Sequence, residues 1–222
     1  MADTTGPLVW DETGSRRYEV GVDRGVLYPF ASGKYSNGVA WTGLLSVTST
    51  PDGAEANKFY GDNIEYGSLR SNETYGGSIS CYTAPEEFLA CNGKASLGKG
   101  VYVSQQSRSR FGLSYRTMEG DDTVSEPENY IIHLVYGATA SPSEAEYESI
   151  NDSPDAMTFS YDFDTTPVAC TGHKPVSHLE IYSRLVEPAI LKKLEDKLYG
   201  SATAAASLPL PDEVAQILKS GA

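Results

Sequence analysis

Three histidines, three cysteines and a few carboxylate pairs are the residues of this chain whose types could do chemistry. Cys170, His173 and His178 form the one group with a spacing that approaches a metal-binding loop. A structural zinc site takes four ligands, and no second Cys or His pair lies nearby. Thr171-Gly172-His173-Lys174-Pro175 reads instead as a turn entering a strand. His133 lies in the apolar run Tyr130–Ala138, and no motif ties a nucleophile to it. A hydrogen-bonded strand histidine is expected there rather than a general base. Asp162 and Asp164 fall on one strand face, separated by one pleat repeat of about 7 Å. That separation suits paired-carboxylate chemistry, but a solvated strand face is the better reading. Asp121-Asp122 and Asn151–Asp155 lack the ligand order of an EF-hand loop. Gly98-Lys99-Gly100 is too short to cradle phosphate, and neither GxxxxGK[ST] nor GxSxG occurs. The expectation is a chain with no catalytic residues, no cofactor and no metal.

These groups sit on elements that read as strands and tight turns. Fifteen tyrosines, six phenylalanines and 21 glycines favour them over helix bundles. A length of 222 residues suits one large all-β domain. Tyr18, Val20 and Val22 alternate as in a strand, and Asp23-Arg24-Gly25 reads as a turn. Val39–Thr50 and Asn57–Leu69 flank Pro51-Asp52-Gly53-Ala54-Glu55-Ala56, which predicts a hairpin with a long loop. Thr74–Tyr82 is a strand in which Gly76-Gly77 signals a bulge or a close approach of backbones. Pro85–Cys91 predicts a short helix. Gly100–Ser104 and Arg110–Met118 form the next hairpin-like pair. Tyr130–Ala138 is apolar on both faces and predicts a central strand. Met157, Phe159, Tyr161 and Phe163 alternate strictly with Thr158, Ser160, Asp162 and Asp164, the pattern of a half-buried strand. Pro188–Tyr199 is an amphipathic helix with Leu191, Leu194 and Leu198 on one face, and Gly200 stops it. Leu208–Leu218 follows a small-residue linker and is expected to reach a neighbouring subunit. The division is an arm over 1–17, a β domain with its flanking helix over 18–200, and an extension over 201–222.

A net charge of −13 argues against an electrostatic grip on nucleic acid, which needs Lys and Arg to displace counterions. It is compatible with a surface that DNA slides past, and equally with solubility through self-repulsion. Arg16-Arg17 and Arg108–Arg110 are the only basic clusters, and both read as ion-pair partners at a subunit contact. Pro51–Ala56 is longer and more polar than joining two strands requires, so it too is assigned to a subunit contact. An odd cysteine count without a CxxC pair predicts no disulfide framework and assembly in a reducing cytosol. MADTTGPLVW lacks the basic and apolar regions of a signal peptide. No apolar run approaches the length of a membrane span.

Two segments carry a resemblance: Gly21–Pro29 (GVDRGVLYP) and Lys58–Leu69 (KFYGDNIEYGSL). Further blocks follow in order: Pro85–Phe88, Phe111–Thr117, Tyr130–Ser143, Asn151–Pro154, Thr165–Val168, Leu194–Gly200 and Leu208–Glu213. Together they resemble the major tail (tail tube) proteins of long, non-contractile-tailed phages, especially those of Gram-positive hosts. The resemblance implies an antiparallel β-sandwich or barrel with a flanking helix and extended N- and C-terminal arms. It implies hexameric rings stacked into a hollow tube, a conduit for DNA that passes without specific binding. The implied partners are further copies of the chain, the tape measure protein, the tail terminator, and the distal tail and tip proteins. Asp162 and Asp164 are candidates for the lumen wall, because a strictly polar strand face must meet water. The rival is a soluble β-sandwich binding module for carbohydrate or a receptor, with tyrosines lining its ligand face.

Overall fold

The computed structural model describes residues 7–53, 55–124, 126–150 and 155–219. In chain order the strands are β1 (Arg17–Ala31), β2 (Lys34–Tyr35), β3 (Val39–Ala40), β4 (Leu44–Ser49), β5 (Asp52–Gly53), β6 (Ala56–Gly61), β7 (Ile64–Arg70), β8 (Glu73–Thr74) and β9 (Gly76–Cys81). A short helix α1 (Phe88–Cys91) precedes β10 (Ala95–Gly98), β11 (Val101–Val103), β12 (Phe111–Asp121), β13 (Asn129–Ala140), β14 (Phe159–Thr165) and β15 (His178–Tyr182). Helices α2 (Pro188–Tyr199) and α3 (Pro211–Lys219) close the chain. The main sheet runs β2-β1-β12-β13-β14-β9-β4, with β15 on β13 and β3 on β1, and its pairings are antiparallel. The result is the expected mainly β fold with a flanking helix.

Two apolar layers hold it. Leu27, Trp41, Ile79, Phe88, Phe111, Leu113, Val135 and Phe163 fill the space between the β1-β12-β13 limb and the β14-β9-β4 limb. Val26, Tyr28, Ile132, Leu134, Tyr136 and Ile181 form the second layer with Leu191, Leu194 and Leu198 of α2. β13 therefore serves both layers, which is why Tyr130–Ala138 carries no polar face. Each buried leucine contributes about 1.5–3 kcal/mol. Polar tips are satisfied at the same time. Tyr28 donates to the Leu198 carbonyl at 2.8 Å, and Tyr136 to the Pro209 carbonyl at 2.9 Å.

Five local expectations change. Asp23-Arg24-Gly25 is not a chain reversal: β1 continues through it, with register shifts against β12 on either side of Val22 and Asp23. Arg116 grips Asp23 there and holds the bulge in line. Asn57–Leu69 is not one strand but the β6–β7 hairpin, turned at Asp62 and Asn63. Both turn residues have positive φ, 49° and 62°, as a tight two-residue hairpin turn demands. β4 consequently pairs with β9, not with the segment after Pro51–Ala56. Asp52-Gly53 pairs with Glu73-Thr74, so the expected loop is the base of a longer arm. β10 and β11 make their own hairpin, while β12 lies between β1 and β13. Leu208–Leu218 folds back: Leu208 and Val214 are buried against α2 and the sheet.

Candidate functional site

The β14-β9-β4 limb presents one face to the apolar layer and the other to water. Ser160 and Asp162 on β14 stand opposite Ser80 and Ser78 on β9, which in turn face Ser46 and Thr48 on β4. Asp164 continues the row opposite Gly76. These strands therefore offer hydroxyls and two carboxylates outward, and none of them carries a Lys or Arg. Gly76 and Gly77 permit this limb to close up. A Cβ on Gly77 would stand 2.0 Å from the Thr48 carbonyl oxygen, so the expected close approach is real. The second edge of β4 has no strand partner among the described residues. On the far side of β14 the chain leaving β13 runs alongside, with Ser141 N–H donating to the Asp162 carbonyl at 2.7 Å. Ser143 Oγ accepts from Asp162 N–H at 3.0 Å.

Three projections carry apolar side chains that find no core. The β6–β7 hairpin exposes Tyr60, Ile64, Tyr66 and Leu69. Its own contacts stiffen it: Lys58 pairs with Glu65 at 2.8 Å, and the Phe59 ring lies over Gly67. The β10–β11 hairpin exposes Leu97, Val101 and Tyr102, and the lead-in to β1 exposes Leu8, Val9 and Trp10. Scattered single apolar residues on a surface are ordinary, but grouping on protruding elements marks contact sites.

The assigned interface residues are spread over this surface. Pro51, Asp52, Gly53, Glu55 and Ala56 are exposed at the base of the long arm, and Ala54 lies outside the described residues. Arg16 turns back on its own chain, donating to the Asp11 carbonyl at 3.1 Å. Arg17 opens β1 opposite Asp121. Arg108 donates to Asn92 Oδ1 and to the Ala140 carbonyl, so it ties the chain to itself.

The histidine grouping differs from the one the spacing suggests. His173 is exposed in its turn, whereas His178 meets His133 across the β13–β15 pair, Nε2 to Nδ1 at 3.2 Å. The two rings stack between Tyr75 and Tyr115. Burial, and then the neighbouring His178, pull His133 down to about 4, and burial also lowers His178. One nitrogen of each imidazole and an oxygen of Glu180 lie within 4.8 Å of one another. Both strands are visible in the sequence, but the register that sets His133 opposite Glu180 is not. Of the cysteines, Cys81 and Cys91 are buried, and burial pushes the Cys91 thiol up to about 12. Neither is an activated nucleophile.

A polar sheet face, an unpaired edge and protruding apolar hairpins are the features of a structural β protein that meets other chains. The family model described as phage tail tube protein matches residues 31–199, most of the chain, and the chain belongs to that family. It is thus a structural component of a phage tail, and its family assembles into a tube with other tail components. No curated protein matches the chain.

Proposed function

We propose that this chain polymerises as stacked hexameric rings into the tail tube, the conduit through which DNA leaves the virion. The observation that supports it best is the outward face of β4, β9 and β14. It offers Ser46, Thr48, Ser78, Ser80, Ser160, Asp162 and Asp164 without a cation. A wall of hydroxyls and carboxylates gives the phosphate backbone nothing to displace counterions with. Helices α2 and α3 lie on the opposite side of the molecule, behind β13. On this reading β4, β9 and β14 face the lumen, and α2 and α3 face outward.

Ring closure uses the same limb. Rotation about a tube axis keeps strand directions, so the open edge of β4 meets the Ser141–Ser143 run of the next copy antiparallel. Joining edge to edge removes the unpaired edge that a lone chain exposes. The long arm grows from β4 and β9, and it extends to the neighbouring ring with its exposed tyrosines. Its partners there are further copies. At the tube ends they are the terminator and distal tail proteins, with the tape measure protein inside the growing tube. Assembly takes place in the host cytoplasm. The binding-module reading has the match to the phage tail tube family against it. Electron microscopy of concentrated purified protein tests the proposal: tubes or rings support it, and a stable monomer that binds glycan contradicts it.

A further inference from the structure

We propose that His133, His178 and Glu180 form a binding site for a borderline divalent transition ion, zinc being the best fit. Two imidazole nitrogens and one carboxylate oxygen are a donor set suited to that ion class. Ligand atoms about 2.0–2.1 Å from a tetrahedral zinc lie roughly 3.3 Å apart. His133 Nδ1 and His178 Nε2 already stand at 3.2 Å. Glu180 Oε1 lies 4.0 Å from His133 Nδ1 and 3.9 Å from His178 Nδ1. It sits on the edge strand β15, part exposed, so a small carboxylate rotation completes the set.

The surroundings prepare these atoms as ligands. Thr117 Oγ1 donates to Glu19 Oε2 at 3.2 Å, because a carboxylate only accepts. The same hydroxyl must then accept from His133 Nε2–H, at 3.0 Å. That fixes the tautomer and turns the Nδ1 lone pair toward His178. Outer partners of this kind orient metal-binding histidines. Tyr182 donates to Glu180 Oε2 at 2.9 Å, leaving Oε1 facing the imidazoles. Tyr75 stacks on His178 and Tyr115 on His133, which limits ring rotation. A proton on His178 Nδ1 faces Glu180 Oε1 at 3.9 Å. His178 Nε2 and His133 Nδ1 then face each other as two acceptors at 3.2 Å. A cation between them satisfies both.

Access comes from the surface. A cleft of about 880 Å³, lined by Arg70, Glu73, Tyr75, Lys174, Ser177 and His178, reaches the His178 side of the site. Three protein ligands leave a fourth position for water. The ion would cross-link β13 to β15 and stabilise the folded chain by mass action. This inference concerns the single chain and stands whether or not it forms tubes.

The test uses untagged full-length protein, stripped with EDTA and kept dispersed. Equilibrium dialysis against zinc should give one bound ion per chain, and cobalt(II) should give the visible absorption of a four-coordinate site. Zinc should raise the melting temperature. His178→Gln should abolish these signals, and Glu180→Gln should weaken zinc binding by about tenfold or more. Glu180→Gln is on an exposed edge and keeps the fold, so the test survives if the buried histidine variants fail to fold. His173→Gln should change nothing. Absence of stoichiometric zinc and of the cobalt spectrum overturns the site. So does unchanged binding in Glu180→Gln, or loss of binding in His173→Gln.

Discussion

Arg116 closes a two-pronged ion pair on Asp23, Nε to Oδ1 at 2.8 Å and Nη2 to Oδ2 at 2.7 Å, where β1 bulges against β12. The guanidinium also lies over the Tyr130 ring, 4.4 Å from its centroid. A planar fork matched to a carboxylate is the strong form of such a pair. Asp23→Ala leaves the largely buried guanidinium without its partner and should cost about 1–3 kcal/mol. Arg116→Lys keeps the charge, loses the fork and should cost a similar amount. Urea denaturation midpoints check both. A wild-type midpoint in Asp23→Ala would mean that the bulge is held by other contacts.

Gly77 has no room for a side chain beneath the Thr48 carbonyl. Gly77→Ala must push β4 away from β9 and should destabilise the chain by roughly 1–3 kcal/mol. Gly98, where an added Cβ meets nothing within 4 Å, is the control. Gly98→Ala should melt within a degree or two of wild type. Equal melting of the two variants would refute the close-packing argument for the polar limb.

Much of this architecture is legible in the sequence, and the remainder fails for physical reasons. Phe159–Asp164 and Pro188–Tyr199 declare themselves through periods of 2 and 3.6, because one face of each meets the core, whereas Met157 precedes β14 and is exposed. Tyr130–Ala138 declares itself by lacking a polar face. Asp62-Asn63 hides a hairpin turn because the residues around it, Tyr60 and Ile64, are apolar on a solvent-exposed arm. Exposure on an arm breaks the link between apolar pattern and burial. Asp23–Gly25 has turn composition but serves a bulge, since Arg116 is supplied by a strand remote in sequence. The Leu208–Leu218 segment looks detached after its linker, yet Leu208 and Val214 find the apolar layer behind α2. The His133–His178 contact depends on register, which local pattern does not carry.

The long arm gives a prediction about assembly. Replacing Ala56–Arg70 by Asn-Gly removes Tyr60, Ile64, Tyr66 and Leu69 without touching either apolar layer. The variant should be a folded, soluble chain that no longer makes tubes, as judged by circular dichroism together with electron microscopy. Normal tubes from it would remove the arm from the assembly contacts.

The polar face gives a prediction about passage. Asp162→Lys and Asp164→Lys place cations where the wall is otherwise hydroxyl and carboxylate. Tubes should still form, because both side chains point away from the core. DNA release from phage carrying these variants should slow, and more so at low salt, where counterion release favours binding most. Release at the wild-type rate would show that the face does not line the channel.

A three-dimensional reconstruction from electron micrographs of the concentrated, purified chain reaches the central proposal most directly. The expected result is stacked six-membered rings around a hollow channel, with Asp162 and Asp164 on the channel wall and α2 on the outside. A chain that stays monomeric at every concentration, or a tube whose channel is walled by α2 and ringed with Lys and Arg, would contradict it.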